Sequence, residues 1–240
     1  MNHFVFHPAS SRGSANHGWL QSYHTFSFAQ YHNPDRMHFG VLRVLNDDTV
    51  DMGMGFGTHP HDNMEIVSIP LEGDLEHRDS MGNVTIIRKG DIQIMSAGTG
   101  ITHSEFNHNK NLPVKFLQIW IFPDKKNGTP RYDQKSLNPA DRINKFQFIL
   151  TPQPSESAVW IRQNVWFSLG SLHSNSSHTY SVQLPGNGVY IFMLSGKITV
   201  NGHELNTRDG FGLWDLTNPI NIECLMNSEV LIMDVPMHLN

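Results

Sequence analysis

Residues 59–73 of the chain are HPHDNMEIVSIPLEG: two histidines separated by one residue, then a short apolar run that ends at a glycine. Similar apolar runs recur about every ten residues, separated by glycine, proline or asparagine, and no segment keeps a long helical period. The clearest of them lie at 39–45, 64–69, 84–87, 116–121 and 188–194. This pattern predicts an all-β protein with few short helices, for instance near 138–144.

A weak internal repeat relates the two halves of the chain. Residues 71–73 (LEG) and 88–91 (RKGD) resemble residues 194–196 (LSG) and 207–210 (TRDG), and each pair spans a glycine-ended strand, a hairpin and a turn. The repeat predicts two similar β-barrel domains, joined in or just before the Pro- and Ser-rich stretch 151–157. The predicted ranges are 1–140 for the N-terminal domain and 141–240 for the C-terminal domain.

Composition limits the possible partners. The 240 residues are 38% hydrophobic and carry a formal net charge of −5, so the chain lacks the cationic excess of proteins that neutralise nucleic-acid phosphates. With no apolar run long enough to cross a bilayer and no targeting sequence at its start, a cytoplasmic location and no membrane partner are expected. Cys224, the single cysteine, excludes an intrachain disulfide and is expected to be buried.

The spacing of four residues points to a metal. In an extended strand, residues i and i+2 point to the same face, so His59 and His61 present two imidazoles together. His103 and Glu105 repeat the spacing with one imidazole and one carboxylate. If both segments face the inside of one barrel, the donors converge on one divalent transition-metal ion, because the set is too rich in nitrogen for calcium or magnesium and lacks the thiolates of structural zinc.

Glu65 is the rival for the carboxylate position. Positions 59, 61, 63 and 65 share a face if the strand continues without a bulge, so Glu65 either ligates in place of Glu105 or orients a ligand or the substrate from behind. Glu105 and Glu65 are also the two candidate catalytic residues, since either carboxylate offers a general base for a substrate hydroxyl group.

These residues lie in motifs that resemble those of the cupin superfamily and, more closely, the pirin family. The likeness to the first cupin motif rests on Gly53, Gly55, His59, His61, Glu65 and Gly73. Residues 90–107 resemble a modified second motif, with Ser96 where proline is usual and two extra residues before His103. The segments that match pirins are Trp19, 24–28 (HTFSF), 39–48 (FGVLRVLNDD), 59–61 (HPH), 95–98 (MSAG) and 103–105 (HSE).

The resemblance implies a bicupin of two jelly-roll barrels, with an ion in the N-terminal barrel held by His59, His61, His103 and Glu105. It also implies that Glu65 lies beside the ligands rather than on the ion. Iron(II) is the expected ion, with manganese, cobalt, nickel, copper and zinc as alternatives. Bacterial pirins resemble flavonol-cleaving dioxygenases, whereas nuclear relatives act as metal-dependent transcription cofactors.

Two functions of different classes follow. The first is a metal-dependent dioxygenase that cleaves a flavonol such as quercetin with O2 and releases carbon monoxide, since four protein ligands leave an octahedral ion two open positions. The alternative is a redox-sensing regulatory protein whose metal state changes a surface that binds a protein partner. Turnover distinguishes the two, because a sensor changes oxidation state once and stops.

The repeat also locates the C-terminal counterparts of the ligands. Counting from the repeated glycines, the positions equivalent to the first two histidines are Val182 and Leu184, and the position equivalent to the third is Glu223. Because valine and leucine cannot ligate a metal, the C-terminal barrel is expected to be metal-free.

Overall fold

The structure is a computed structural model that describes residues 3–239, and its regular structure is almost entirely β. The strands of the first half are β1 (His3–His7), β2 (Gly13–Asn16), β3 (Leu20–His24), β4 (Leu42–Val50), β5 (Gly55–His61), β6 (Glu65–Glu72), β7 (Leu75–Asp79), β8 (Val84–Ile87), β9 (Asp91–Ser96), β10 (Ile101–Asn107), β11 (Val114–Ile121) and β12 (Arg131–Ser136). Those of the second half are β13 (Phe146–Thr151), β14 (Val159–Trp160), β15 (Trp166–Leu172), β16 (Ser177–Tyr180), β17 (Asn187–Ser195), β18 (Lys197–Val200), β19 (His203–Asn206), β20 (Gly210–Trp214), β21 (Ile220–Cys224) and β22 (Ser228–Pro236). Short 3₁₀ helices lie at Ala9–Ser11, Pro34–Arg36 and Pro139–Arg142, so the predicted fold class is confirmed.

Each half combines a seven-stranded sheet with a four-stranded sheet. The orders are β12-β9-β6-β11-β4-β3-β2 with β5-β10-β7-β8, and β1-β20-β17-β22-β15-β13-β14 with β16-β21-β18-β19. The two halves have corresponding strand orders, and β6 to β9 correspond to β17 to β20, the segments that carry the sequence repeat. The fold is therefore two cupin-type jelly-roll domains.

The first strand of the chain, β1, belongs to the large sheet of the C-terminal domain. β1 pairs with β20 at the edge of the C-terminal sheet, in the place that β12 takes beside β9 in the N-terminal sheet. Apart from β1, the strands up to Ser136 belong to the N-terminal sheets and those from Phe146 onward belong to the C-terminal sheets. The Pro- and Ser-rich stretch 151–157 lies between β13 and β14, which are in the same sheet. That stretch is therefore a loop inside the C-terminal domain, and the two domains share strands as well as a linker.

The repeated glycines are dictated by the turns that they form. Gly73 and Gly196 follow β6 and β17 with φ of +74° and +85°, in the left-handed region that disfavours side chains. At Gly196 a Cβ would also lie 2.3 Å from the backbone oxygen of Asn227. The glycine signature in the sequence therefore reports a real backbone requirement.

Apolar side chains fill two of the three spaces between the sheets. One buried cluster joins the two seven-stranded sheets, and its members include Leu45, Val67, Leu117, Phe167 and Leu231. A second fills the C-terminal domain, with Val189, Ile191, Ile198, Ile220 and Ile222 among its members. The cluster inside the N-terminal domain is smaller, with Leu20, Val50, Leu75, Ile87, Val114 and Phe116 as its buried members. Ile66, Met95, Ala97 and Ile101 form a further small apolar cluster in this domain. Much of the remaining interior carries buried polar side chains, and the candidate site lies among them.

Among residues 3–239, no helix is long and apolar enough to span a membrane. Cys224 is buried at 2% exposure in β21, as predicted, and burial raises the pKa of its thiol.

Candidate metal centre

Strands β5 and β10 bring three histidines together. In their antiparallel pairing His103 lies opposite His59, and His61 shares the face of His59 two residues on. One ring nitrogen from each lies within 4.8 Å of the others. The i, i+2 spacing in the sequence therefore does place these imidazoles on one face.

The nitrogen atoms of this cluster suit a metal. The His59 Nδ1–H donates to the Gly57 carbonyl oxygen at 2.8 Å, which leaves the lone pair of its Nε2 free. His61 Nε2 and both nitrogens of His103 are buried without a hydrogen-bond partner among the described residues. Burial, with the neighbouring histidines, lowers the pKa of His61 to about 4 and that of His103 to about 3. Neutral imidazoles with unused lone pairs are the form that coordinates metal ions.

Glu105 enters the site from β10 with both carboxylate oxygens held. Ser68 Oγ donates to its Oε1 at 3.0 Å and Gln118 Nε2 donates to its Oε2 at 2.7 Å. Glu105 lines the same pocket as the three histidines, and one of its oxygens lies within 4.8 Å of ring nitrogens of His103 and His77. The two hydrogen bonds fix the carboxylate while each oxygen keeps a second lone pair.

Glu65 lies elsewhere, and the parity argument that placed its side chain on the face of His59 and His61 is wrong. β5 ends at His61 and β6 begins at Glu65 in a different sheet, with a turn between them in which Asn63 has φ of +47°. Glu65 accepts a hydrogen bond from Ser96 Oγ at 2.7 Å, and the nearby Arg131 charge acts to lower its pKa. It does not line the pocket. It is therefore not placed to act as a base on a pocket ligand.

Glu65→Gln is expected to stabilise the protein at pH 7 to 8. Burial raises the pKa of Glu65 from 4.5 to about 7, so the folded state binds more protons than the unfolded state between these values, and stability falls as the pH rises through this window. Glutamine avoids the ionisation, which corresponds to about 3 kcal/mol in the unfolding free energy. Urea unfolding of both proteins at pH 4.5 and pH 8 measures it.

The same variant should retain its metal. An advantage for Glu65→Gln that is equal at both pH values would contradict the assignment to ionisation, and loss of metal would return Glu65 to the ligand set.

A buried His–Asp pair supports the cluster and was missed in the sequence. His77 on β7 lies opposite Glu105, and its Nε2 pairs with Asp79 Oδ2 at 3.0 Å. Asp79 is fixed in turn by the backbone N–H groups of Met81 and Asn83. The His77 and His103 rings are 5.4 Å apart, so the pair packs behind a predicted ligand. Its sequence signal is a histidine and an aspartate at i, i+2 just before a hairpin turn.

A row of polar side chains crosses the large sheet beneath the cluster. The strand registers align His24 on β3, Asn46 on β4, Gln118 on β11, Ser68 on β6 and Gln93 on β9. All five are buried, and Oε1 of Gln118 and both amide atoms of Gln93 have no partner among the described residues. The five residues of this row are far apart in the sequence, and only the pairing of their strands brings them together.

The cluster and part of this row line one pocket. Apolar side chains from Leu20, Phe28, Phe56 and Trp120 form part of its wall, and Trp120 packs edge-on against His61 with ring centroids 4.9 Å apart. The polar part of the wall comes from Ser22, His24, Asn46, Asp48 and Gln118. The site thus combines a metal-type donor set, flat apolar walls and buried hydrogen-bonding groups.

The matching region of the C-terminal domain has no cluster of histidines and is packed with buried side chains among the described residues. His103 pairs with His59 across β10 and β5, and the corresponding strands β21 and β16 pair Ile220 with Tyr180. Leu75 and Ile198 each lie two residues after a repeated glycine, and they pair with Asn107 and Cys224. His103 and Ile220 each lie four residues before these partners, so Ile220 is the counterpart of His103 and the fixed offset that gave Glu223 was wrong. Tyr180, opposite Ile220, is likewise the counterpart of His59 in place of Val182. Ile220 and Tyr180 belong to the buried core cluster. The expectation of a metal-free C-terminal domain stays a prediction that this packing favours.

Comparison with known proteins relates both halves to described families. The Pirin family model matches residues 5–121, and the model described as the quercetinase C-terminal cupin domain matches residues 148–235. A protein named quercetin 2,3-dioxygenase from Escherichia coli K12 is 42% identical over 228 residues, which cover 95% of this chain and 96% of the relative. Relatives at 36–39% identity include a putative quercetin 2,3-dioxygenase of Pseudomonas aeruginosa and a pirin-like protein of Caulobacter vibrioides.

Solved structures give the same picture. The crystal structure of YhhW from Escherichia coli has a TM-score of 0.93 at 40% identity, covering 99% of this chain and all of that one. The structure of the bacterial pirin YhhW in complex with nickel(II) has a TM-score of 0.92 at 40% identity, covering 98% of this chain and 99% of that one. A quercetin 2,3-dioxygenase from Acinetobacter baumannii shares the fold, with a TM-score of 0.81 at 20% identity, covering 99% of this chain and 88% of that one.

Proposed function

Because the chain belongs to the pirin family, we propose that it is a metal-dependent dioxygenase that cleaves flavonols such as quercetin with O2 and releases carbon monoxide. The observation that carries the proposal is the cluster of His59, His61 and His103, whose unpartnered nitrogens face a pocket with flat apolar walls. The names of the similar proteins support the substrate class, and the site chemistry supports the reaction type.

We propose His59, His61, His103 and Glu105 as the ligands of one divalent ion, with iron(II) expected and nickel, manganese, cobalt, copper and zinc as alternatives. The orphaned buried nitrogens fit this role, because leaving them unpaired without a ligand costs free energy. When bound, such an ion supplies open coordination positions for an anionic oxygen donor and reactivity toward O2 that side chains lack.

The residues of the chain then have separate tasks. Glu105 is the group that takes the proton of the substrate hydroxyl, because it is the one predicted carboxylate that lies in the pocket. Ser68 and Gln118 keep that carboxylate in place. The His77–Asp79 pair limits the movement of His103 from behind.

The pocket walls suit a flat aromatic substrate. Phe28, Phe56 and Trp120 offer ring faces and edges that bind an aromatic system and displace water from it. Exclusion of water protects a reactive deprotonated substrate from side reactions.

The proposal is tested by loading the purified protein separately with iron, manganese, cobalt, nickel, copper and zinc and adding quercetin in air. We expect at least one redox-active ion to support many turnovers per chain, while the metal-free protein supports none. If every loaded form gives only a slow colour change without turnover, quercetin is merely chelated and the dioxygenase proposal fails.

A further inference from the structure

The pocket contains a buried carboxyl group that neither the metal cluster nor the proposed reaction uses. Asp48 on β4 is 4% exposed and lines the pocket. Ser22 Oγ donates to its Oδ1, and its Oδ2 accepts no hydrogen bond from residues 3–239. Oδ2 is not among the fully buried atoms that lack a partner, so it is open to the pocket and available to accept a hydrogen bond from a donor outside the chain.

Among residues 3–239, no cationic side chain forms an ion pair with Asp48. Asp47, the next residue, is bound to Arg12 and Arg208 on the opposite face of β4. Glu105 is the other charged group that acts on Asp48, and its charge has the same sign. Burial, reinforced by these two acids and opposed by Ser22, raises the pKa of Asp48 to about 7. A neutral hydroxyl group could donate a hydrogen bond to Asp48 Oδ2 without bringing a charge into the pocket.

The polar neighbours of Asp48 on the pocket wall also carry hydrogen-bond acceptors. Nδ1 of His24 lies 3.0 Å from Asn46 Oδ1 and 3.4 Å from Ser22 Oγ, so these side chains hold one another in place. Gln118, which holds Glu105, pairs with Asn46 on the adjacent strand and leaves its Oε1 without a partner. The wall therefore offers several oxygen acceptors, Asp48 being the strongest.

Strand geometry also sets how far Asp48 lies from Gln118, which holds the predicted ligand Glu105. Asp48 is two residues along β4 from Asn46, which is the cross-strand neighbour of Gln118. One strand spacing and two residues along a strand separate the backbone positions of Asp48 and Gln118 by about 8 Å. The two side chains therefore lie at separate points along the wall, and an aromatic ligand with hydroxyl groups on different rings can reach both.

We propose that Asp48, held by Ser22 and flanked by His24 and Asn46, is a hydroxyl-binding subsite that selects aromatic substrates carrying a second hydroxyl group remote from the one that binds the metal. Asp48 acts on substrate specificity and binding, not on the bond that is cleaved. The inference rests on the proposed function for the orientation of the substrate.

The test compares two flavonols in the absence of O2. Quercetin carries hydroxyl groups on both outer rings, and 3-hydroxyflavone carries only the hydroxyl beside the carbonyl group. Dissociation constants for both are measured by fluorescence titration of the nickel-loaded protein under argon at pH 8, above the pKa of about 7 of Asp48, so that its carboxylate is mostly charged. In the wild type we expect quercetin to bind at least about tenfold more tightly, because a hydrogen bond to a charged group contributes that much or more.

In Asp48→Asn this ratio should fall to within about threefold of one, while the dissociation constant of 3-hydroxyflavone stays within about threefold of the wild-type value. The variant is expected to fold, because asparagine is close to aspartate in size and its amide oxygen can still accept from Ser22 Oγ. Asp47→Asn is the matched control, since Asp47 faces the other side of the strand, and it should keep the wild-type ratio.

A wild-type ratio near one would overturn the subsite, as would an Asp48→Asn variant that keeps the ratio or weakens both flavonols equally. Because the titration needs no turnover, its result is separate from that of the dioxygenase assay. If the wild type binds quercetin more tightly than 3-hydroxyflavone as expected but releases no carbon monoxide, only the reaction proposal fails. Turnover without discrimination would end the subsite alone.

Discussion

His103→Ala is expected to leave the protein essentially without metal. His103 has a ring nitrogen within 4.8 Å of donor atoms of His59 and His61 and also of Glu105, and both of its ring nitrogens are buried without a partner among the described residues. Loss of supporting contacts around a metal typically costs ten- to hundredfold in affinity, and loss of a ligand itself costs more. We expect a decrease of more than about hundredfold, and a similar decrease for His61→Ala. Metal analysis after dialysis against a weak chelator measures both.

The matched control is His203→Ala, because His203 lies on β19 of the C-terminal domain and is exposed. It should retain about one ion per chain, as the wild type does. If His103→Ala retains a full equivalent of metal while remaining folded, the ion lies elsewhere and the proposed ligand set is wrong.

Glu105→Gln should abolish turnover even when metal is supplied in excess. The substitution removes the anionic ligand and the proposed proton acceptor together. It also places an amide where two donors already point, so either Ser68 or Gln118 then faces an N–H group instead of an oxygen. We expect kcat with quercetin to fall by at least about hundredfold.

Ser68→Ala separates ligation from orientation. Ser68 donates to Glu105 and does not line the pocket, so this variant should keep its metal and lose no more than about tenfold in kcat. Near wild-type kcat in Glu105→Gln would show that this carboxylate neither binds the ion nor accepts the proton, and the mechanism would need another base.

Local spacing in the sequence was enough to find the histidines and the repeat. His59 and His61 are two residues apart in one strand, so their common face follows from strand geometry alone. The glycines at Gly73 and Gly196 likewise report turns that need positive φ. Such inferences hold because they depend only on one strand or one turn.

Inferences that cross a turn or depend on strand pairing were less reliable. The face of Glu65 was misassigned because the chain changes sheet after His61. The offset that gave Glu223 ignored strand register, which instead makes Ile220 the counterpart of His103. The polar row and the position of Asp48 arise from pairing of strands distant in sequence, and no spacing rule encodes that register.

The most direct test of the proposed dioxygenase is the stoichiometry of one sealed reaction. The metal-loaded protein is mixed with quercetin in air, and O2 uptake, quercetin loss and carbon monoxide release are measured together. The dioxygenase account predicts that the three amounts are equal and that each exceeds the amount of protein many times over. Loss of no more than one quercetin per chain, without carbon monoxide, would contradict it and favour a regulatory protein that uses the same metal site.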